Sequence, residues 1–324
     1  MKNDLRIFAA LCAAWLALTP AHAHAQTEPW PSKLIKIVTP TPAGVGSDAF
    51  SRLYADKLSK ALKVPVVVEN RPGALSTLGV DAVAKAPADG YTILFSTGNP
   101  FTVTPYLLSK LPYNPEKDFI PVTQIFRGGS FLVVNKDVPV KSLRELIAMA
   151  KSAPGKLTFA SYGPGTTSHL GLELLQDAAG VEMLHIPYKQ GAMVDVIGGQ
   201  VMVGWEPPVS ALPHIKAGRV RALAYTGSAR SSALPDVPTL AEAYPGLEVF
   251  TWVGVWVPAN TPPAIVQRLY STITAITQTP EMLRYIDEAG NEPISPTPAE
   301  TAAFIKRESQ FMGNLIKTKN IKLD

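Results

Sequence analysis

Cysteine is almost missing from this chain of 324 residues: the one copy, Cys12, lies within the first 25. Whatever lies beyond residue 25 can hold no disulfide, no cysteine-based zinc site and no iron–sulfur cluster. Histidine is scarce as well. Past that segment only His169, His185 and His214 remain, too far apart to show a paired metal spacing. Lysine and arginine form no block, so the basic balance does not point to nucleic acid, whose partners gather charge on one face. No apolar run reaches the roughly 20 residues that a membrane span needs. Catalytic signatures are missing too: the Gly-x-Ser-x-Gly elbow, the His-Glu-x-x-His pair and the phosphate loop ending in Gly-Lys-Ser/Thr do not occur.

What is present begins with a leader. Lys2 and Arg6 precede an apolar run from Ile7 to Leu18, and Ala23-His24-Ala25 offers a small-x-small cleavage site before Gln26. That order predicts a cleavable signal peptide over residues 1–25, cut after Ala25, and export to the periplasm. There is no twin-arginine pair, so export is expected to run unfolded, without a preloaded cofactor. The remainder, about 300 residues, is long enough for two domains and for a core that needs no covalent staples.

Strand-length apolar runs alternate with helix-period segments. Strands are predicted at 35–39, 64–69, 92–96, 131–135, 157–161, 183–186, 201–205 and 220–226. Helices are predicted at 48–62, 75–86, 143–151 and 169–179, with shorter ones near Met193 and Ala211. Such alternation predicts parallel sheets flanked by helices. From Pro263 to Lys319 the pattern reads as three helices with no strand between them, a closing layer. Their starts are marked by Thr261-Pro262, Thr279-Pro280 and Thr297-Pro298 with Glu300, and Ser142 with Glu145 marks an earlier one. Boundaries are expected near Arg127-Gly128-Gly129 and within the proline-bearing stretch 227–246. The expected division is therefore 26–127 for a first domain, 128–246 for a second, and 247–324 for a return to the first. Two crossings of this kind make a clamshell.

Three loops follow predicted strand ends, where open α/β sheets bind ligands. The first holds Ala43, Gly44, Val45, Gly46, Ser47 and Asp48 at the start of a helix, where unpaired amides favour an anion. The second holds Gly163, Gly165, Thr166, Thr167 and Ser168, and the third Thr97 and Asn99. Glu206, at the end of a strand and before Pro207-Pro208, is a candidate for reading an ammonium or hydroxyl. Trp205 alternates with it, so one of the two faces any cleft. On these residues alone other readings stay open. Gly44-x-Gly46-x-x-Ala49 with Glu69 about 20 residues on also fits a dinucleotide fingerprint. An exported enzyme using that loop for a nucleotide or other anion is thus an alternative, as is a hydrolase built on Ser168, His169 and a distant acid.

Several ordered segments then carry a resemblance: Val67-Val68-Glu69-Asn70-Arg71-Pro72-Gly73-Ala74, Ala88-Asp89-Gly90-Tyr91-Thr92, Leu111-Pro112-Tyr113, His185-Ile186-Pro187-Tyr188-Lys189, Leu212-Pro213-His214-Ile215-Lys216-Ala217-Gly218 and Leu234-Pro235-Asp236-Val237-Pro238-Thr239. From about Trp30 onward the chain resembles the substrate-binding proteins of tripartite tricarboxylate transporters, the Bordetella uptake gene family. The resemblance implies a type II periplasmic binding-protein clamshell and a small carboxylate ligand: a di- or tricarboxylate, an amino acid or an aromatic acid. It implies a membrane partner of one large and one small subunit, no metal, no cofactor and no catalytic residue, and a monomer. The carboxylate would be held largely by backbone amides and water in the loops at 43–48 and 163–168. Three departures stand out. Thr41 and Val45 replace an aromatic residue and a glycine of the family's first loop. Met202-Val203-Gly204-Trp205-Glu206 stands where members often carry Asp-Leu-Met-Phe-Asp. Pro100-Phe101-Thr102-Val103-Thr104-Pro105 is altered, leaving Phe101 either at an apolar end of the pocket or in the core.

Overall fold

Short β-branched runs bounded by glycine and proline become strands here, and apolar residues at helical spacing become the helices that cover them. A computed structural model describes residues 29–44, 47–188 and 191–323. The signal-peptide reading of residues 1–25 lies outside the described residues. Residues from Lys33 onward form one compact unit. Its described strands make two sheets.

The first sheet contains β1 (Ile35–Thr39), β2 (Val66–Asn70), β3 (Thr92–Thr97) and β4 (Phe119–Gly128). The second contains β5 (Phe131–Asn135), β6 (Thr158–Ser161), β7 (Leu184–Pro187), β8 (Val203–Glu206) and β9 (Val220–Tyr225). The chain then returns to the first sheet as β10 (Thr251–Pro258) and β11 (Asn291–Pro293). The spatial orders are β11-β4-β10-β3-β1-β2 and β7-β6-β8-β5-β9. The chain therefore passes between sheets twice, across Gly129-Ser130 and again between Tyr225 and Thr251. Those two passages tie to each other: Ser130 N–H donates to Thr226 Oγ1 at 2.8 Å, and Thr226 N–H to Ser130 O at 2.9 Å.

The sheets are mixed rather than mostly parallel. β1 pairs in parallel with β2 and β3, and β6 with β7 and β8, each parallel partner reached through a helical connection. The strands that follow a passage run the other way. β5 is antiparallel to β8 and β9, and β10 to β3 and β4. A strand entering directly from the other sheet has no crossover helix to restore its direction.

β4 and β10, which the sequence pattern did not single out, stand at the centre of the first sheet. β11 corrects another expectation. It lies between the helices Pro280–Glu288 and Pro298–Thr318, in the stretch read as strandless, and pairs with β4. Three residues, Asn-Glu-Pro, are too few to show a period. The helix caps follow the sequence with one shift. Thr297 and Glu300 form the full capping box and Thr279 caps Met282, but Thr261 gives its hydroxyl to Pro258 O, so the helix Pro263–Thr277 starts from Pro262 instead.

Phe101 belongs to the core. It is 2% exposed, stacked on Trp256 at 4.2 Å and edge-on to Phe119 at 5.2 Å. In the second sheet, His169 and His185 stack at 4.1 Å beneath the loop that follows β6. Gly165 N–H donates to His169 Nδ1 at 3.0 Å, and His185 Nε2 meets Ser161 Oγ. His169 Nδ1 is therefore an acceptor and its proton sits on Nε2. Burial, with the neighbouring His185 adding to it, pushes the His169 pKa down to about 4, and burial lowers His185 too.

Two outcomes follow from this packing. Phe101→Ala should cost about 3–5 kcal/mol, read as a lower denaturant midpoint at unchanged slope; a loss under about 1 kcal/mol would show that the ring does not support the core. For His169, the folded-state pKa lies below the unfolded value of 6.5, so its stabilising contribution is complete above that pH. It is lost as pH falls from about 6.5 towards 4, by roughly 3 kcal/mol. Melting temperature against pH should drop across that window in the wild type and flatten in His169→Gln; parallel curves would sink the assignment.

Candidate functional site

The first loop, after β1, is braced from within. Buried Asp48 accepts from Gly44 N–H at 2.7 Å, from Arg52 Nε at 2.9 Å and from Asn70 Nδ2 at 2.7 Å. Burial pushes its pKa up, but the bonds from Arg52, Gly44 and Asn70 outweigh that and hold it below the usual carboxylate range. Thr41 Oγ1 lies 3.3 Å from Ser47 Oγ, while Pro42, Ala43 and Gly44 are exposed. Val45 and Gly46 lie outside the described residues. Glu69, the acid of the dinucleotide pattern, is ion-paired with Lys36 at 2.7 Å and with Arg71.

The second loop, after β6, is a net of short bonds. Thr166 Oγ1 donates to Gly163 O at 2.6 Å and lies 3.1 Å from Ser168 Oγ, which accepts from Tyr162 N–H at 3.1 Å. Gly165 has φ of +74°, and a Cβ there would stand 2.2 Å from Leu107, so glycine is required. The loop runs into the helix Thr167–Ala179, whose first amides have no partner within the helix. His169 directs one nitrogen to Gly165 and the other towards Glu173 at 3.7 Å, so it is not placed to serve Ser168 as a base.

The third loop, after β3, rests on β10. Gly98 N–H donates to Trp252 O at 3.1 Å, and a Cβ on Gly98 would lie 2.1 Å from the Trp252 indole.

Between these elements lies a cavity of about 240 Å³. Thr97 and Asn99 line it from the third loop; Tyr162, Thr166, Thr167 and Ser168 from the second; Ser130 and Thr251 from the passages between sheets; Trp205 and Pro207 from the end of β8. None of the described residues that line it carries a charge. Thr251 Oγ1 reaches Thr167 Oγ1 at 3.4 Å, joining the two sheets at the cavity's edge. Of the residues singled out from sequence, Thr97, Asn99, Thr166, Thr167 and Ser168 thus meet at one cavity. Gly163 and Gly165 shape its loop without lining it. Ala43, Gly44, Ser47 and Asp48 are not among the residues that line it.

Glu206 is also not on the wall. It is 1% exposed and accepts from Tyr162 Oη at 2.8 Å and Ser210 Oγ at 3.0 Å. Burial raises its pKa against those two bonds. Tyr162, Ser130, Trp205, Pro207 and Thr251 were not among the residues picked from sequence. Alternation along β8 was the available signal for Trp205, since Glu206 points to the opposite face.

A hollow of about 270 Å³ opens near Arg127, Arg230, Asp287 and Glu292. All four of those charged groups are already engaged: Arg127 with Gln124, Arg230 with Glu242, Asp287 with Ser232 and Glu292 with Ser228. Among the described residues, no three of His, Asp, Glu or Cys gather to hold a metal, and no helix is long and apolar enough to cross a membrane.

Comparison with known proteins places this architecture. Residues 50–321 match the model of the tripartite tricarboxylate transporter family receptor. Protein BugT of Bordetella pertussis is 35% identical, with 99% of each chain aligned. Among solved structures, R. palustris Rpa4515 with adipate is 32% identical, with a TM-score of 0.79 over 91% of this chain and 100% of that one. MatC from Rhodopseudomonas palustris with bound malate is 28% identical, with a TM-score of 0.73 over 89% and 100%. Both sheets and their two connecting passages therefore make the two-domain clamshell of these proteins, and the chain belongs to the tripartite tricarboxylate transporter receptor family of periplasmic solute-binding proteins.

Proposed function

We propose that this protein captures a small carboxylate in the cavity between its two sheets and hands it to a membrane complex of one large and one small subunit. One observation carries the reading. The cavity stands at the start of a 13-residue helix and is walled by hydroxyl and amide groups with no charged side chain. A helix start favours an anion by about 0.3–1 kcal/mol when exposed and more when partly buried. Thr167 and Ser168 hydroxyls and the adjoining amides can supply charge-assisted donors without a cationic clamp. Adipate and malate in the two related structures are ligands of this class.

On this reading the protein works as a monomer in the periplasm after its leader is cut behind Ala25. Residues 26–127 with 247–324 form one lobe and 128–246 the other. The first loop, from Ala43 to Asp48, serves as a rim that meets the ligand or its waters. Tyr162, whose hydroxyl proton goes to Glu206, presents an Oη lone pair to a hydroxyl of the ligand, so Glu206 acts through Tyr162.

Protein freed of bound ligand by unfolding and refolding should melt higher with malate, succinate, adipate or citrate. The gain should reach about 2.7 kcal/mol at about 100 times the dissociation constant of a true ligand. No shift with any mono-, di- or tricarboxylate would remove the reading. Glu206→Gln should weaken malate, which carries a hydroxyl, several-fold more than succinate, measured by titration calorimetry; equal losses would show that Glu206 does not govern selectivity.

A further inference from the structure

We propose that the Tyr225 hydroxyl is a positioning group: bonded to Gly290, it holds the two sheets in the arrangement that gathers the cavity wall. The consequence for ligand affinity rests on the carboxylate-binding reading; the hold on the sheets does not.

Tyr225 ends β9 in the second sheet and is 7% exposed. Its ring lies against both passages between the sheets. A Cβ at Gly129, on the first passage, would stand 2.4 Å from the ring, and one at Gly227, on the second, 2.5 Å. Neither position has room for a side chain. Glycine also turns about its backbone at little steric cost, and small residues between elements often absorb the dihedral change of a hinge. The ring itself is tied to the second sheet, through strand pairing with Phe131 and contact with the Phe131 ring at 4.9 Å. A swing of the sheets therefore carries Tyr225 with the second.

The hydroxyl reaches the first sheet. It accepts from Gly129 N–H at 3.2 Å and donates to Gly290 O at 3.2 Å. Gly290 lies on neither passage. It leads into β11, whose Asn291 pairs with Gly128 of β4. A bond between the sheets outside the two passages resists the rotation that the passage glycines permit. It is long against the usual hydroxyl range of about 2.5–3.0 Å, so a small swing breaks it. The same turn meets the second sheet's side again at Pro208, where the helix Pro208–Lys216 opens. A Cβ on Gly290 would stand 2.5 Å from Pro208, and its φ of +76° also favours glycine. Pro207, next to that contact, lines the cavity. The hollow of about 270 Å³ beside Tyr225 and Gly290 gives the turn space to move when the bond is lost. The bond is made in the arrangement in which Thr251 reaches Thr167 at the cavity's edge, so it favours the gathered wall.

Tyr225→Phe removes the hydroxyl and keeps the ring. By small-angle X-ray scattering, ligand-free Y225F should have a larger radius of gyration than ligand-free wild type. Saturation with malate should bring the two together. Malate affinity, by titration calorimetry, should fall about fivefold, the worth of one ordinary hydrogen bond. Gly290→Ala, which forces the turn off Pro208, should act in the same direction. A residue that only supports the fold would lower the melting temperature and leave radius and affinity as they were. An unchanged radius in ligand-free Y225F, or unchanged malate affinity where wild type binds malate, overturns the proposal. If Y225F does not fold, the same two measurements on G290A decide. If no diacid binds wild type, the carboxylate reading falls, and the ligand-free radius alone decides the role of Tyr225.

Discussion

The Trp252 indole occupies the space where any side chain at residue 98 would stand, and much of the molecule is arranged around that contact. Trp252 lies near the start of β10, the strand by which the chain returns to the first sheet. Its ring supports the turn that carries Thr97 and Asn99 to the cavity, and its N–H is anchored on Glu308 of the last long helix. Burial lifts Glu308 to about pH 7, against the pull of Trp252 and Arg127. Arg127, at the end of β4, lies between the Phe250 and Phe304 rings at 4.9 and 4.8 Å. Both passages between sheets therefore leave from the same packed aromatic platform. The part of the cavity wall that comes from the third loop holds its shape because this ring backs the turn at Gly98.

Charge is kept off the cavity wall and paired elsewhere. Asp48 is tied to Arg52 and Asn70, Glu69 to Lys36 and Arg71, and Glu206 to two hydroxyls. Burial disfavours the charged form of the two histidines nearest the second loop. An anion arriving here meets directed N–H and O–H groups instead of a compact positive charge. Directed donors count geometry, so such a wall discriminates by where the oxygens of a ligand lie more than by how many charges it carries.

Much of this was legible beforehand, and what was not has a physical reason. β1 and β5 begin and end where the apolar runs do, at Ile35–Thr39 and Phe131–Asn135. The loops after β3 and β6 could be picked out because strand ends followed by helix starts leave backbone amides free. β4 escaped because its buried run Val122–Phe126 includes Thr123 and Gln124 and shows no alternation. Thr251–Pro258 is also buried on both faces, so it shows no alternation. The glycine-rich first loop looked the most informative, yet its acid closes on its own Gly44 N–H. Glu206 read as a ligand group because it ends a strand, but it is buried with Tyr162 and Ser210 both donating to its Oε2, which no pattern in one sequence reveals. Ser130, Trp205 and Thr251 come to the cavity only through the pairing of β5 with β8 in one sheet and of β10 with β3 and β4 in the other.

The last helix adds a constraint that the two passages alone would not impose. Leu315, Ile316 and Ile321 pack with Val103 and Leu107 on the first-sheet side and with Leu170 of the helix Thr167–Ala179 on the other. Lys319 also pairs with Glu173 at 3.3 Å and with Asp177 on that same helix. Ion pairs this exposed add little, on the order of 0–1 kcal/mol each, and the apolar cluster supplies most of the hold. Apolar contact is non-directional, so it permits sliding where a hydrogen-bonded seam would not. Any separation of the two sheets must carry Leu170 past Leu107 and Leu315, and the start of its helix, with Thr167 and Ser168, moves with it. The tail of the chain thus packs directly on a helix whose first turn, with Thr167 and Ser168, lines the cavity.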